Sequence, residues 1–371
     1  MNAAKPRTVY YEYAALTAIL ILAVSLRVTR LDRGFWEDEA VEYVLGAARP
    51  FWGSFTYQPF PLYHVLAHIA LYFSEEEWVI RVPSVLAGLG GIVALYAVAR
   101  KFFGIAAAIV AGLLFAVSTF HISASTEARF YALTMLAAIL VFWALHNALR
   151  NDTRRDWLWY VVLGNLAMMS QLMLLPLVGS MAGGAGLWTL SRDRGEGTAL
   201  VRPNLRRLVI ASALCLIGVV FAGLAGGYNL ARFLASDSTE SGETVILDDL
   251  GNRIESVTSI RLTPGEYLEF FGDYIDGATG VAAWMLFGLA LVGLISLARR
   301  DASAAWMVAA AIIIPPLPFF AITVTHFYHP RYFCAVLPFI LFLIAGGLAG
   351  VSAAARRGVE LLFERGARTT E

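Results

Sequence analysis

The sequence contains little charge and little cysteine. Only 15% of its 371 residues are charged, whereas 58% are hydrophobic. No basic domain, finger spacing or helix-turn-helix pattern occurs, so no nucleic-acid partner is expected. The two cysteines, Cys215 and Cys334, both lie inside apolar runs. This placement is typical of small core residues and argues against a disulfide.

Two further absences concern substrates and export. No nucleotide-phosphate loop or dinucleotide fingerprint is present, which disfavours a soluble nucleotide donor and favours an activated donor carried in the membrane. The first apolar run, residues 13–28, lacks a small-residue cleavage site before the polar sequence that follows it. We therefore expect this run to remain as the first membrane span and not to be removed as a signal peptide.

Long apolar runs recur along the chain, each close to the ~20 residues that cross a bilayer as a helix. Ten such runs occur, at residues 13–28, 82–98, 105–120, 130–148, 157–173, 175–190, 208–226, 281–298, 304–323 and 332–353. The mean hydropathy of +0.66 agrees with this pattern. The sequence predicts an all-α polytopic membrane protein, with residues 1–371 forming a single integral membrane domain.

The positions of the charged residues predict which loops face which side of the membrane. The apolar stretch 62–73 is too short to span and reads as an interfacial helix. If it does not span, the arginine-rich short loops all fall on one side, which the positive-inside rule assigns to the cytoplasm. We expect a plasma-membrane protein with both termini cytoplasmic. Two long loops, 29–81 and 227–280, then face the exterior, and the second is a candidate lid or acceptor-binding segment containing a short strand at 243–248 and a short helix at 264–271.

Three consecutive carboxylates, Glu37, Asp38 and Glu39, follow the first span. Carboxylates beside a bilayer are costly unless they are solvated, paired or functional. Helical spacing over 38–48 places them in the first turn of a surface helix with its polar face outward. One interpretation is that they complement the helix dipole. The other is a general base or a metal ligand, because three adjacent acids exceed what helix capping needs.

Arginine and histidine supply the other candidates for chemistry. Arg81, Arg129 and Arg331 fall at exterior span ends, where the positive-inside rule disfavours them. Their guanidinium groups suit a lipid phosphate. The alternative is interfacial snorkelling or an internal ion pair, for example Arg129 with Glu127 or Glu39.

The histidines form two pairs, His64 with His68 and His326 with His329. Either pair could join a carboxylate such as Glu39 around a divalent metal. The alternative is that they are satisfied polar residues at an interface, and no cofactor is required by the sequence.

Several segments, taken in order, resemble GT-C fold glycosyltransferases, and in particular the branch of protein O-mannosyltransferases and lipid A aminoarabinose transferases. Trp-Glu-Asp-Glu-Ala at 36–40 is similar to the Asp-Glu motif of the family's first exterior loop. The other segments are Gln-Pro-Phe-Pro-Leu-Tyr at 58–63, Arg-Val-Pro-Ser at 81–84, Glu-Ala-Arg-Phe-Tyr at 127–131 and Pro-Arg-Tyr at 330–332. Phe60 departs from the family's Pro-Pro pair.

The resemblance implies a GT-C-like bundle of about ten transmembrane helices with interfacial helices in a long first exterior loop. It implies that Asp38 is a general base, that Glu39 supports it or binds a metal, and that Arg81, Arg129 and Arg331 lie near a donor phosphate. The remaining substrate-binding residues that it implies are Tyr63, Glu127, Tyr131 and Tyr332. The implied reaction is inverting transfer of a sugar from a polyprenyl-phosphate-linked donor to a glycan, lipid or protein acceptor on the exterior face.

Two rival functions belong to other classes. A transporter or lipid flippase predicts ionisable residues and broken helices near the middle of spans, whereas this chain keeps its charges at span ends. A non-catalytic partner subunit would retain the fold without the chemistry. The intact Asp38–Glu39 pair argues against that second rival.

Overall fold

The computed structural model describes residues 6–56, 60–171, 174–193, 201–225, 246–247, 253–254, 280–317 and 330–368. Helices make up nearly all of these residues, so the predicted all-α class is confirmed. The described strands are β1 (Ile246–Leu247) and β2 (Arg253–Ile254), which pair antiparallel. β1 lies within the strand predicted at 243–248, while the helix predicted at 264–271 lies outside the described residues.

The first half of the chain alternates long and short helices. They are α1 (Pro6–Val28), α2 (Glu37–Val41), a π-helical turn (Glu42–Ala47), α3 (Phe51–Thr56), α4 (Leu62–Leu71), a 3₁₀ turn (Glu77–Arg81), α5 (Val82–Phe103), α6 (Ile105–Val117), α7 (Thr119–Thr126) and α8 (Tyr131–Asn151). The second half contains α9 (Arg154–Met168), α10 (Leu174–Asp193), α11 (Val201–Leu214), α12 (Ile217–Ala225), α13 (Gly280–Arg300), α14 (Ala302–Ile313), a second 3₁₀ turn (Pro330–Val336) and α15 (Leu337–Arg368).

Within the described ranges, seven helical segments are long and apolar enough to cross a membrane, and an eighth qualifies if α6 and α7 form one span bent by 59°. This count is lower than the predicted ten. In the described residues of the runs predicted at 157–173 and 304–323, the helices that fall short of a span are α9, of 15 residues, and α14, of 12 residues. α14 ends just before Pro315 and Pro316, which cannot donate the backbone hydrogen bonds that would continue a helix.

Charge separates the two ends of the bundle. At one end, Asp301 caps α14 and pairs with Arg150 at 2.6 Å and with His146 at 2.8 Å. Arg100 pairs with Glu12, and Arg207 with Asp152, at the same end. We call this the basic end.

The short elements of the first loop, from α2 to the 3₁₀ turn Glu77–Arg81, lie at the opposite end of the bundle, where α5 and α8 begin. The prediction that the 62–73 stretch does not span agrees with α4, which has only ten residues. The predicted continuous helix over 38–48 is instead the five-residue α2 followed by the π-helical turn. Its polar face does not point outward, because Glu39 and Glu42 are both buried.

Helices α13 and α15 cross with their backbones in contact. A Cβ atom added at Gly293 would lie 1.9 Å from the Leu343 carbonyl oxygen, and one at Gly347 would lie 2.0 Å from the Leu289 carbonyl oxygen. Small residues allow such close approach between membrane helices. The crossing therefore depends on glycine at these two positions.

We predict that Gly293→Ala lowers the thermal stability of the purified protein in detergent, because the added methyl group forces α13 away from α15 at a cost of about 1–3 kcal/mol. Gly288→Ala is the matched control, since nothing lies within 4 Å of a Cβ at that position of the same helix. The control should unfold at the same temperature as the wild type or slightly higher. Equal unfolding temperatures for Gly293→Ala and the wild type would contradict this account of the crossing.

Candidate active site

A fully buried ion pair joins the acidic loop to the start of α5. Arg81 Nε donates to Glu39 Oε1 at 2.8 Å, and Arg81 Nη2 donates to Glu39 Oε2 at 2.7 Å. Both side chains are 0% exposed. This two-bond geometry is the strongest arrangement available between a guanidinium and a carboxylate.

The other donors of Arg81 hold the chain between α1 and α2. Nη1 donates to the carbonyl oxygens of Leu31 and Arg33, each at 2.7 Å, and Nη2 donates to that of Gly34 at 3.2 Å. With the two bonds to Glu39, all five N–H groups of Arg81 are used. In this structure Arg81 therefore holds the loop, and its position near a donor phosphate stays a prediction.

Glu39 is equally saturated. Its Oε1 also accepts from the backbone N–H of Ala128 at 2.7 Å, and its Oε2 accepts from that of Trp36 at 3.4 Å. Burial raises the pKa of Glu39, but the hydrogen bonds from Arg81 and Ala128 outweigh it and hold the pKa below its ordinary value. Both oxygens of Glu39 are thus occupied by protein donors, and its role of supporting Asp38 or binding a metal stays a prediction.

This pairing brings Asp38 and Arg129 together. Each is the sequence neighbour of a residue that the buried contact joins, Asp38 of Glu39 and Arg129 of Ala128. Arg129 Nη2 lies 3.5 Å from Asp38 Oδ2, and the two side chains are 18% and 40% exposed. The ion pair predicted for Arg129 thus exists, but its partner is Asp38 and not Glu127 or Glu39.

Arg129 differs from Arg81 in its remaining bonding capacity. Burial lowers the pKa of Arg129, but Tyr131, Asp38 and Glu42 together raise it above its ordinary value. Its Nε is buried and has no hydrogen-bond partner among the residues that the structure describes. A buried N–H without an acceptor is uncommon and costly.

A cavity of about 450 Å³ is lined in part by residues two positions from Asp38 and Arg129 in the chain. Its lining residues are Arg33, Gly34, Trp36, Phe120, Ser123, Ala124, Glu127 and Tyr131. Its volume and its mixture of aromatic and polar groups are typical of small-molecule sites.

The predicted residues Glu127 and Tyr131 both line the cavity. Glu127 Oε1 accepts from Ser123 Oγ at 2.6 Å, and the side chain of Tyr131 hydrogen-bonds to Arg129. Tyr131 thereby connects the cavity to the Asp38–Arg129 pair.

Tyr63 lies elsewhere. Its side chain is 1% exposed, and its hydroxyl donates to the Ile80 carbonyl oxygen at 2.8 Å. Ser84 Oγ lies 2.9 Å from both the Tyr63 hydroxyl and the Arg129 carbonyl oxygen. Tyr63 therefore connects α4 to the first 3₁₀ turn and to α5, and it is not among the cavity residues.

The two histidines of α4 form hydrogen bonds with other residues of the protein. His64 Nδ1 is 2.5 Å from Glu42 Oε1, and His68 Nδ1 is 2.8 Å from the Ala47 carbonyl oxygen. In the described part of the chain, no three His, Cys, Asp or Glu side chains are arranged to hold a metal ion. These contacts fit the interpretation of satisfied polar residues.

The side chains of four other predicted residues cannot be placed in this way. His326 and His329 lie outside the described residues. The backbone of Arg331 and Tyr332 belongs to the 3₁₀ turn Pro330–Val336, while their side chains are outside the described part.

Comparison with known proteins agrees with the geometry. A family model described as dolichyl-phosphate-mannose-protein mannosyltransferase matches residues 58–222. YycA of Bacillus subtilis (strain 168), provisionally named a mannosyltransferase, is 26% identical over 184 residues, which is 44% of this chain and 26% of YycA. Both matches leave most of the sequence uncovered, and Asp38 lies before the residues that match the family model.

Solved structures match over nearly the whole chain. The oligosaccharyltransferase of Archaeoglobus fulgidus aligns with a TM-score of 0.57 at 15% identity, covering 94% of this chain and 51% of that protein. ArnT of Cupriavidus metallidurans aligns with a TM-score of 0.57 at 15% identity, covering 94% and 60%. ArnT bound to undecaprenyl phosphate gives 0.56 at 16% identity. This chain has the GT-C fold.

The GT-C fold that the motifs predicted is thus confirmed, and the chain spans about half to three fifths of these solved proteins. Sequence reasoning missed several residues of the site. Arg33 and Trp36 flank the acidic motif, and that proximity was the signal available for them. Phe120 ends the apolar run 105–120 and Ser123 follows it, with no such signal for either, and both lie on α7 after the bend that follows α6.

Arg81→Lys should destabilise this GT-C bundle by about 3–5 kcal/mol, because lysine cannot reproduce the five-bond geometry and leaves the Glu39 carboxylate buried with fewer partners. The measurement is thermal unfolding in detergent. Arg100→Lys is the matched control, since the Arg100–Glu12 pair is half-exposed on its arginine side and such pairs contribute about 0–1 kcal/mol. Similar unfolding temperatures for the two variants would contradict the assignment of Arg81.

The pair should also make stability depend on pH. The folded-state pKa of Glu39 is below its ordinary value of 4.5. Its contribution is therefore fully present above that value and is lost as the pH falls through the lowered pKa. The unfolding temperature of the wild type should fall on acidification through this window, and that of Glu39→Gln should fall less. Parallel curves for the two proteins would refute the linkage.

Proposed function

We propose that this protein catalyses inverting transfer of a sugar from a polyprenyl-phosphate-linked donor to an acceptor hydroxyl. The observation that carries the proposal is the Asp38–Arg129 pair, which a buried ion pair holds beside a cavity of about 450 Å³. The GT-C fold supports it, as do the family match to a dolichyl-phosphate-mannose-protein mannosyltransferase and the ArnT structure with undecaprenyl phosphate.

Asp38 is the proposed general base. Its side chain is 40% exposed, so an acceptor can reach it, and its neighbours fix its backbone. In the proposed step the acceptor O–H proton passes to the Asp38 carboxylate as the acceptor oxygen forms a bond to the anomeric carbon. The bond from that carbon to the phosphate oxygen breaks on the opposite side, which inverts the configuration. A positioned base within hydrogen-bond reach of the hydroxyl supplies this chemistry.

Arg129 is the proposed phosphate ligand. The lipid phosphate leaves with additional negative charge, and a preorganised cation stabilises that charge in the transition state. The buried Nε–H of Arg129 and its position beside Asp38 support this role. Arg331 is the proposed second cation, because its 3₁₀ turn packs on α8, with Cys334 Sγ 3.8 Å from the Tyr131 carbonyl oxygen.

The cavity is the proposed sugar site. Glu127 and Ser123 offer groups that hydrogen-bond sugar hydroxyls, and Trp36 and Tyr131 offer aromatic surface. Glu39 and Arg81 then act by positioning Asp38 and do not contact the substrate. Tyr332, on the same turn as Arg331, remains a proposed contact of the donor.

We further propose that this site faces the exterior of the cell. Arg100, Arg150, Arg207 and Arg300 lie at the opposite, basic end of the bundle, and short basic loops are retained in the cytoplasm. The chain enters α1 and leaves α15 from that end, which supports cytoplasmic termini.

Asp38→Asn should reduce sugar transfer by about 10²- to 10⁴-fold, because the amide cannot accept the acceptor proton. The assay incubates purified protein in liposomes with radiolabelled polyprenyl-phosphate mannose and extracted cell-envelope acceptors. Glu37→Gln is the control, since Glu37 is an exposed carboxylate of the same helical turn. Wild-type transfer by Asp38→Asn would remove Asp38 from the mechanism.

Orientation can be tested with single cysteines, because Cys215 and Cys334 are fully buried. A membrane-impermeant maleimide should label Glu75→Cys, at the site end, in intact cells. It should label Arg154→Cys, at the basic end, only after the membrane is opened. The reverse pattern would place the site in the cytoplasm.

A further inference from the structure

The cavity contains a positive charge that no motif predicted. Among the described residues that line it, Arg33 is the cationic side chain and Glu127 the anionic one, and the others are neutral. A guanidinium group stays protonated at every pH at which a protein is folded. The positive charge of the cavity is therefore permanent.

Two contacts fix where Arg33 lies. Its carbonyl oxygen accepts from Arg81 Nη1 at 2.7 Å, so the buried Glu39–Arg81 pair also holds the backbone of Arg33. Its own Nη2 donates to the Thr126 carbonyl oxygen at 3.3 Å. Thr126 ends α7 and directly precedes Glu127. The guanidinium of Arg33 thus lies against the segment that carries the carboxylate of the cavity.

Arg33 keeps bonding capacity for a ligand. A guanidinium has five N–H groups, and in the described part of the chain one protein acceptor, the Thr126 carbonyl oxygen, is bonded to that of Arg33. The residue is also exposed, whereas Arg81 is fully buried with all its donors used. The remaining N–H groups of Arg33 are available to oxygen atoms of a molecule in the cavity.

Glu127 supplies the complementary group. Its Oε1 accepts from Ser123 Oγ at 2.6 Å, a length typical of a hydroxyl that donates to an ionised carboxylate, about 2.5–2.7 Å. A neutral sugar can use both charged residues, because each of its hydroxyls donates and accepts hydrogen bonds. A sugar with an ammonium group can bond to Glu127, but Arg33 repels it.

We propose that Arg33 is a specificity-determining residue of the sugar cavity, which selects a donor carrying a neutral sugar over one carrying a positively charged amino sugar. This inference rests on the proposed function. Specificity of this kind comes from a repulsive contact with the wrong ligand as much as from attractive contacts with the right one. Arg33 takes no part in proton transfer.

The test compares two donors in the liposome assay, polyprenyl-phosphate mannose and polyprenyl-phosphate aminoarabinose, whose amine is protonated at neutral pH. The quantity measured is the ratio of the two kcat/KM values. The wild type should prefer the mannose donor. Arg33→Gln, which removes the charge but keeps N–H donors, should move the ratio on the order of tenfold toward the aminoarabinose donor. Arg33→Lys keeps the charge and should keep the wild-type preference.

Arg30→Gln is the matched control. Arg30 is an exposed arginine three residues earlier in the same loop and is not among the lining residues of the cavity. Its replacement should leave both kcat/KM values unchanged.

Other roles for Arg33 predict a different result. Both donors carry the same phosphate, so a phosphate-binding role would lower transfer from both by the same factor and leave the ratio unchanged. A purely structural role would lower the unfolding temperature of Arg33→Gln, again at an unchanged ratio. Either outcome overturns the inference, as does an equal shift in Arg33→Lys. The proposed function survives each of them, since the wild type still transfers a sugar.

Binding gives a second readout that needs no acceptor. A ligand that binds the folded protein raises its unfolding temperature, and the mannose donor should raise that of the wild type more than the aminoarabinose donor does. In Arg33→Gln this difference should shrink or reverse. Equal stabilisation of the wild type by the two donors would overturn the inference, whether or not transfer is observed.

Discussion

The buried ion pair between Glu39 and Arg81 is the constraint on which the site depends. Burying two charges is expensive, and the expense is offset here because every donor of Arg81 and every lone pair of Glu39 has a partner. The partners come from the chain after α1, from α2 and from the connection between α7 and α8. One interaction thus joins residues 31–39, Arg81 and Ala128, which are distant from one another in sequence.

The same interaction explains why two arginines of similar sequence context differ. Both Arg81 and Arg129 stand at helix starts near the acidic loop, and both match motifs of the GT-C fold. The N–H groups of Arg81 all donate hydrogen bonds, to Glu39 and to three carbonyl oxygens. Arg129 is 18% exposed, and its buried Nε–H has no acceptor among the described residues. Two arginines in similar motifs can therefore have very different hydrogen-bonding partners.

Much of the fold was predictable, because long apolar runs predict membrane spans and arginine-rich loops predict which side of the membrane the loops face. The short α4 followed from the length of its apolar stretch. The motifs also pointed to Glu127 and Tyr131, which line the cavity, and to Asp38, which pairs with Arg129. The burial of Glu39 and Glu42 did not follow. Helical periodicity placed them on the polar face, and it contains no information on the tertiary partners, Arg81 and His64, that cover that face.

The cavity and the length of α9 were also beyond sequence reasoning. The cavity depends on the 59° bend between α6 and α7, where Ser118 caps the second helix within an apolar run. α9 carries Asn165, whose side chain bonds α11 and the start of α12, and no hydropathy window detects that contact. Local pattern predicts which segments enter the membrane, and side-chain hydrogen bonds decide where they bend and end.

The most direct test of this division of roles is an experimental structure of the protein with polyprenyl phosphate bound. The account predicts a phosphate oxygen within hydrogen-bond distance of Arg129, beside the cavity lined by Glu127 and Tyr131. It also predicts that the Glu39–Arg81 pair is unchanged. A phosphate bound by Arg81 with the Glu39 pair broken, or bound at the basic end of the bundle, would contradict it.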